Sequence, residues 1–156
     1  MRKQLARQTL YLSIFHLFGG ISGCISILIY VNFPLSDAST FYLAAALSVY
    51  ITGLASGILL FKKKYKLGLL VGQIYQLAQV PIVGTYYLSY MIHSIFALGF
   101  FWGATDLEFF FELSNGFTIG LFDEAFEGRF GLNIFALVMF FVVRHLADLH
   151  QESNTS

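Results

Sequence analysis

The stretch GQIYQLAQVP, residues 72–81, places three glutamines three residues apart in otherwise apolar sequence: Gln73, Gln76 and Gln79. At about 100° per residue, their side chains wind as a stripe through about 120° of a helix surface. An amide that faces lipid leaves its donors and acceptors unsatisfied, which is costly. The stripe therefore predicts that this face meets another helix, a partner subunit or water.

The composition of the whole chain is that of a membrane protein. Its 156 residues are 57% hydrophobic and 12% charged, with a mean hydropathy of +0.71. A soluble domain has about 45–50% apolar and about 25% charged residues, and a soluble fold with this little charge would expose large apolar patches. The net charge is zero, so no nucleic-acid partner is indicated. We expect one membrane domain, residues 1–156, with the lipid bilayer as its environment.

Four apolar segments have the composition of transmembrane helices. A hydrocarbon core about 30 Å thick needs about 20 helical residues. The segments are residues 10–33, 41–61, 67–86 and 130–147. The fourth is apolar only to residue 143, so it needs local thinning of the bilayer or an Arg144 side chain that extends to the surface. The sequence predicts a mainly α fold of four transmembrane helices.

An alternative interpretation makes residues 86–103 a fifth transmembrane helix. The tyrosines at 86, 87 and 90 favour the four-helix interpretation, because such clusters form the interfacial aromatic belt that closes a span.

The positive charges predict the orientation. With the N-terminus in the cytoplasm, four spans leave eight of the nine Lys and Arg residues on the cytoplasmic side, as the positive-inside rule requires. The eight are Arg2, Lys3, Arg7, Lys62, Lys63, Lys64, Lys66 and Arg144. We therefore expect both termini in the cytoplasm and the protein in a bacterial inner (plasma) membrane.

The segment ISGC, residues 21–24, has the form of a lipoprotein cleavage site, which would make Cys24 a lipidation site. However, residues 25–33 continue apolar past the cysteine, and this favours an intact first helix. Because Cys24 is the only cysteine, the chain can form no internal disulfide.

Each of the first three segments carries two glycines four residues apart, which favours close helix packing in lipid. The three pairs are Gly19 with Gly23, Gly53 with Gly57, and Gly68 with Gly72. If the second and third segments fold into a hairpin about residues 62–63, Gly57 comes level with Gly68, and Gly53 with Gly72.

The same helical hairpin predicts partners for the glutamines. It sets Thr52 level with Gln73 and Ser48 within a turn of Gln76, so we expect hydrogen bonds between the two helices. The alternative is that the stripe lines a narrow polar path. His16 is the only ionisable residue well inside a span, and we expect a neutral imidazole bonded to another helix in preference to a proton relay.

Residues 91–129 have the pattern of an extracytoplasmic β segment. Asn-Gly at 115–116 lies between two runs rich in aromatic and branched residues, which indicates a hairpin. A three-residue loop at 114–116 sets Leu113 opposite Phe117 and Phe111 opposite Ile119. Residues 95–102 could add a third antiparallel strand that turns at 103–106. We expect acidic side chains toward water and the apolar face on the helix ends or membrane surface.

Catalytic patterns are missing or weak. The chain has no phosphate-binding glycine loop and no Cys/His cluster with zinc spacing. His145, Asp148 and His150 do not share one helical face, so a solvated tail is the better interpretation. No catalytic residue, cofactor or metal site is therefore predicted.

The leading functional hypothesis is a non-enzymatic membrane protein that acts by helix–helix association, as a homo-oligomer or an accessory subunit of a membrane complex. The first alternative is a small channel or uncoupled transporter lined by Gln73, Gln76 and Gln79. The second is an enzyme with a lipid-soluble substrate enclosed by His16 and the glutamines.

Overall fold

A computed structural model describes residues 2–30, 37–84, 89–103, 106–113, 116–120 and 129–155. These residues form four α-helices and one antiparallel sheet, and the sheet is inserted between the third and fourth helices. The helices are α1 (Arg2–Tyr30), α2 (Asp37–Phe61), α3 (Tyr65–Ala78) and α4 (Ile134–Thr155).

Three helices are long and apolar enough to cross a membrane. Their candidate spans are Lys3–Ile29, Thr40–Phe61 and Ile134–Glu152. The 14 residues of α3 cover only about 21 Å at 1.5 Å per residue, so the predicted span at residues 67–86 is not confirmed, nor is the total of four transmembrane helices. The helix ends at Ala78, before the predicted limit of residue 86, because Pro81 disfavours helical backbone at Val80 and has no N–H to donate.

The fourth helix begins later than predicted. Residues 130–133 belong to a strand, and α4 starts at Ile134. Asn133 causes this start, because its side-chain Oδ1 accepts a hydrogen bond from the backbone N–H of Ala136 at 3.2 Å. A side-chain acceptor at this position satisfies one of the N–H groups that a helix start leaves unpaired.

The sheet is larger than the predicted three-stranded segment. Six strands pair antiparallel in the order β4-β3-β6-β1-β2-β5. The fifth-helix alternative for residues 86–103 is wrong, because β2 and β3 occupy most of that range. The strands are β1 (Pro81–Gly84), β2 (Ser89–His93), β3 (Ala97–Trp102), β4 (Leu107–Glu112), β5 (Gly116–Gly120) and β6 (Arg129–Asn133).

One predicted hairpin forms and the other does not. Trp102 of β3 pairs with Leu107 of β4, which confirms the turn at residues 103–106. The register that set Phe111 opposite Ile119 is wrong, because Phe111 pairs with Leu98 in β3 and Ile119 with Tyr90 in β2. The strand β4 thus pairs with the strand before it and β5 pairs with β2, and these pairings override the local turn signal at residues 114–116. The predicted loop residues 114 and 115 lie outside the described residues.

The sheet curls into an incomplete cylinder. Three strands separate β4 from β2 in the strand order, yet the Nε2 of His93 in β2 lies 2.9 Å from the Oε2 of Glu112 in β4. Only residues 113–115 link β4 to β5, so the two edges of the sheet also approach each other at this end. One face of the sheet is therefore an inner face, and the other is an outer face.

Two apolar clusters hold the helices and the sheet together. The first joins all four helices near the N-terminus and the α2–α3 turn, through Leu5, Leu12, Leu60, Leu69, Val143 and Leu146. The second joins α1 and α2 to β2 at the opposite end, through Ile27, Ala46, Tyr50 and Ile92. The helices α1 and α2 thus run the length of the molecule, with α3 and α4 against one half and the sheet against the other.

Candidate functional site: a buried polar layer

A layer of polar side chains lies where α1, α2 and α3 meet the segment between β2 and β3. All of its members are buried, with at most 3% of each residue exposed. They are Ser13, His16, Ser56, Tyr75, Gln76, Gln79 and Ser94.

The first hydrogen-bonded chain in this layer runs through His16. The hydroxyl of Ser56 donates to the carbonyl oxygen of Gly68 at 2.8 Å. Since a hydroxyl has one proton, Ser56 must accept from the Nδ1–H of His16, 2.8 Å away. The other ring nitrogen, Nε2, then accepts from the Nε2 amide of Gln76 at 3.1 Å. These directions define a neutral imidazole whose two nitrogens are both satisfied.

The second chain runs through Gln79 and Ser94. The Oε1 of Gln79 accepts from the backbone N–H of Ser94 at 3.0 Å and from its hydroxyl at 2.9 Å. The hydroxyl of Ser94 has then given its proton, so it accepts from the Tyr75 hydroxyl at 2.6 Å. The Nε2 of Gln79 donates to the Tyr75 carbonyl oxygen at 3.2 Å. This chain ties the end of α3 to the β2–β3 connection.

The two chains meet at an aromatic contact. The rings of His16 and Tyr75 lie edge to face, with centroids 5.2 Å apart. Ser13 adds a direct link between α1 and α2, since its hydroxyl donates to the Gly57 carbonyl oxygen at 2.8 Å. The layer therefore connects three helices and the sheet through bonds among buried groups.

The hydrogen bonds predicted between α2 and the glutamines are not formed. The hydroxyls of Ser48 and Thr52 donate to carbonyl oxygens of their own helix, at 2.6 and 2.7 Å. Such back-bonding within a helix is a common alternative for Ser and Thr. Of the three glutamines, Gln76 and Gln79 are buried in the layer, whereas Gln73 is half-buried.

The glycines lie at helix contacts different from the predicted ones. A methyl group at Gly57 would meet Leu17 and the Ser13 carbonyl of α1, and one at Gly68 would meet Leu60 of α2, so these two glycines do not face each other. The other four pack against side chains: Gly53 and Gly19 against Tyr75, Gly23 against Tyr50, and Gly72 against His16.

Sequence reasoning missed several members of the site. Among the helical glycines, Gly20 makes the closest backbone contact, because a methyl group there would lie 2.6 Å from the Leu54 nitrogen and 2.8 Å from the Tyr50 oxygen. The adjacent glycines at 19–20 were the available signal. Ser56 lies beside Gly57 and could have been found in the same way. Ser94 carried no such signal, since only the tertiary fold brings it to α3.

An open groove lies between α1 and α4, apart from the polar layer. It has a volume of about 830 Å³ and mainly apolar walls, with polar Gln8 and His145 among its lining residues. Its apolar wall includes Tyr11, Phe15, Phe135, Val138, Phe141 and Val142.

The chemistry of these residues is that of packing and hydrogen bonding. In the described part of the chain, no three His, Cys, Asp or Glu side chains lie close enough together to hold a metal ion. Cys24 has a free thiol there and is half-buried. The chain matches no family model, no curated protein and no solved structure. A functional assignment therefore rests on the geometry of the chain itself.

Proposed function

We propose that this chain is a non-enzymatic integral membrane protein that acts by helix–helix association, as a homo-oligomer or as an accessory subunit of a membrane complex. The observation that carries the proposal is the groove between α1 and α4. It is large, concave and lined by apolar side chains, and it lies between two helices that are each long and apolar enough to cross a bilayer.

The fourth helix is the least covered of the three candidate spans. Only 17% of the apolar stretch that makes α4 a candidate span is buried, against 39% of the corresponding stretch of α1. Helices in lipid associate through close van der Waals packing and polar contacts. The concave groove offers a surface for van der Waals packing, and Gln8 and His145 offer groups for polar contacts. A transmembrane helix of a second copy or of a partner protein fits this chemistry.

The charges support an orientation for the same proposal. Arg7 and Lys63 line one pocket together with Tyr65, and His150 stacks on Tyr65 from the end of α4. The basic residues of both termini and of the α2–α3 turn thus lie at one end. By the positive-inside rule, this end lies on the cytoplasmic side of a bacterial inner membrane.

The channel alternative has weaker support. It requires the glutamine stripe to face a water path, but Gln76 and Gln79 are 2% and 3% exposed. Both amides also have partners within the chain. Lining a conducting path would require these bonds to be exchanged for bonds to water.

Cysteine cross-linking tests the proposal. In a Cys24→Ser background, Val142→Cys places a thiol on the groove, and Ile58→Cys places one on α2 at matched exposure, 42% against 40%. If the protein is a homo-oligomer, oxidation in native membranes should give a disulfide dimer for Val142→Cys and little for Ile58→Cys.

Mass spectrometry of the wild-type chain in mild detergent separates the remaining outcomes. A mass of two or more copies supports the homo-oligomer, and a reproducible second protein whose binding Val142→Trp abolishes supports the accessory subunit. A clean monomer with no partner, together with equal cross-linking at residues 58 and 142, would overturn the proposal.

A further inference from the structure

The curled sheet has an apolar outer face, and its charged side chains lie on the inner face. The strand pairing places Trp102 on the same face as Leu107, and Leu98 on the same face as Phe111. Seven large apolar residues of this outer face are between 38% and 74% exposed: Leu98, Trp102, Leu107, Phe109, Phe111, Phe130 and Leu132.

The inner face carries the charged and polar groups instead. His93 contacts Glu112 at 2.9 Å where the sheet closes on itself, and Arg129 lies 3.6 Å from Glu108 toward the other end of the strands. Phe101 and Phe110 lie between them, with ring centroids 4.7 Å apart. A sheet in water buries its apolar face and exposes its charges. This sheet exposes its apolar outer face and turns its charged groups to the inner face, which is the pattern of a sheet surrounded by lipid.

Contacts with α1 and α2 define the depth of the sheet. The hydroxyl of Tyr50, in the middle of the span Thr40–Phe61, donates to the carbonyl oxygen of His93 at 3.0 Å. Gly19, near the middle of the span Lys3–Ile29, packs against Ser94. The β2–β3 connection therefore lies at the level of the middle of both spans.

From that level the strands extend along the halves of α1 and α2 that point away from the lysines. Ile92 packs with Ile27 and Ala46 in this half. The six residues of β3, Ala97–Trp102, cover about 16 Å at about 3.3 Å per step, which is about half of a 30 Å hydrocarbon core. Trp102 thus comes to the depth of a membrane interface, where tryptophan is enriched.

The helices α3 and α4 lie on the lysine-rich side of this level. Phe135, at the start of α4, contacts Phe15 near the middle of the α1 span, with ring centroids 5.9 Å apart. The other end of α4 reaches Thr9, which bonds His150 at 3.0 Å. The sheet therefore lies on one side of this level, and α3 and α4 lie on the other.

We propose that the curled sheet is embedded in the leaflet opposite the lysine-rich turn, and that its outer face contacts lipid acyl chains. Lipid is the occupant because this face continues the apolar surface of the spans at the same depth. The curl turns the charged inner face away from those chains, as in other sheets in lipid. The inference goes beyond the proposed association, which uses the groove between α1 and α4.

The single tryptophan makes the inference testable without a substitution. The full chain is reconstituted in phosphatidylcholine vesicles whose acyl chains are brominated close to the headgroup or close to the chain end. We expect bromine to quench Trp102 fluorescence, and bromine close to the headgroup (the shallow position) to quench it more strongly than bromine close to the chain end (the deep position). Aqueous iodide should have little effect.

A matched pair of variants tests which face meets lipid. In a Trp102→Phe background, Phe109→Trp probes the outer face, and Phe110→Trp probes the inner face one residue away. Because neighbouring side chains on a strand point to opposite faces, we expect bromine quenching to be more than about twofold stronger at residue 109. Bromine near the chain end should contribute a larger share of the quenching at residue 109 than at Trp102. The reason is that β4 runs from Leu107 back toward mid-depth.

Two results would overturn the inference. Quenching of Trp102 by iodide and not by bromine would place the sheet in water. Protection from both quenchers would place a second protein surface over the outer face. Since wild-type Trp102 distinguishes all three cases, the test stands even if a variant fails to fold.

Discussion

At the scale of single residues, the glutamine stripe is explained by the buried partners that two of its members find. Gln76 donates to His16, and Gln79 accepts twice from Ser94. Polar groups with partners inside the protein do not have to meet lipid, where an unsatisfied amide is costly. The stripe is therefore a set of contacts between elements, and Gln73 at its margin is half-buried.

Replacing His16 tests the first hydrogen-bonded chain. His16→Leu leaves the buried Gln76 amide without its acceptor, so we expect the free energy of unfolding to fall by about 1–3 kcal/mol. Phe18→Leu on the same helix is the control, because Phe18 is 62% exposed and should change stability by less than about 0.5 kcal/mol. Unfolding in mixed micelles, followed by circular dichroism, measures both. Equal stability of the two variants would contradict the role given to His16.

At the scale of elements, the closest helix contact lies between α1 and α2. A methyl group at Gly20 would fall within 3 Å of backbone atoms of α2, and backbone atoms cannot move aside as the end of a side chain can. The glycine pairs in the sequence indicated close packing, but Gly57, which was expected to face α3, packs against α1.

A methyl group at Gly20 should separate the two helices. We expect Gly20→Ala to lower the free energy of unfolding by about 1–3 kcal/mol, as overpacking of a close contact does. Ile21→Ala is its control on the same turn, since Ile21 is 48% exposed. The same denaturation assay applies. A Gly20→Ala variant as stable as the wild type would show that the helices can shift without cost.

The curl of the sheet depends on the contact between Glu112 and His93. Glu112→Ala removes a hydrogen bond to a charged group, which is worth about 1.5–3 kcal/mol, and should speed amide hydrogen exchange along β4. Glu108→Ala is the matched control, because Glu108 and Arg129 are both about half exposed and such pairs contribute less than about 1 kcal/mol. Exchange followed by mass spectrometry should separate the two. Equal acceleration in both variants would rule out this contact as the one that closes the sheet.

At the scale of the whole molecule, α1 and α2 form a frame whose two halves are filled differently. The helices α3 and α4 pack against the half that carries the basic residues, and the sheet packs against the other half. This division explains how a 14-residue helix can be part of the bundle without crossing it.

The division predicts that the lysine turn and the β3–β4 turn face opposite sides of the membrane. In a Cys24→Ser background, thiols at Lys64→Cys and Asp106→Cys should react with an impermeant maleimide from opposite sides of intact cells or inverted vesicles. Reaction of both positions from the same side would contradict the proposed threading of the chain. Leu77→Cys is the control on α3: Leu77 is 53% exposed, and if that face meets lipid, as the proposed threading requires, its thiol should not react.

The sequence by itself determined the features that depend on nearby residues. Apolar runs identified three helices long enough to cross a bilayer, and the spacing of residues 95–112 identified the β3–β4 hairpin. Pro81 also marked the point where helical structure has to stop, although the third segment was extended past it. Each of these features follows from local periodicity, turn chemistry or backbone sterics, which a single chain segment carries in itself.

Only the tertiary structure decided which surfaces meet. Two examples are the pairing of β5 with β2 rather than with its neighbour β4, and the rotation of α3 that turns Gln76 toward His16. A strand edge or a helix face has several possible partners, and the local sequence fits each of them about equally well. The choice among them is made by the fit of distant segments, because a buried polar group must find its hydrogen bonds in whichever segment the complete fold brings to it.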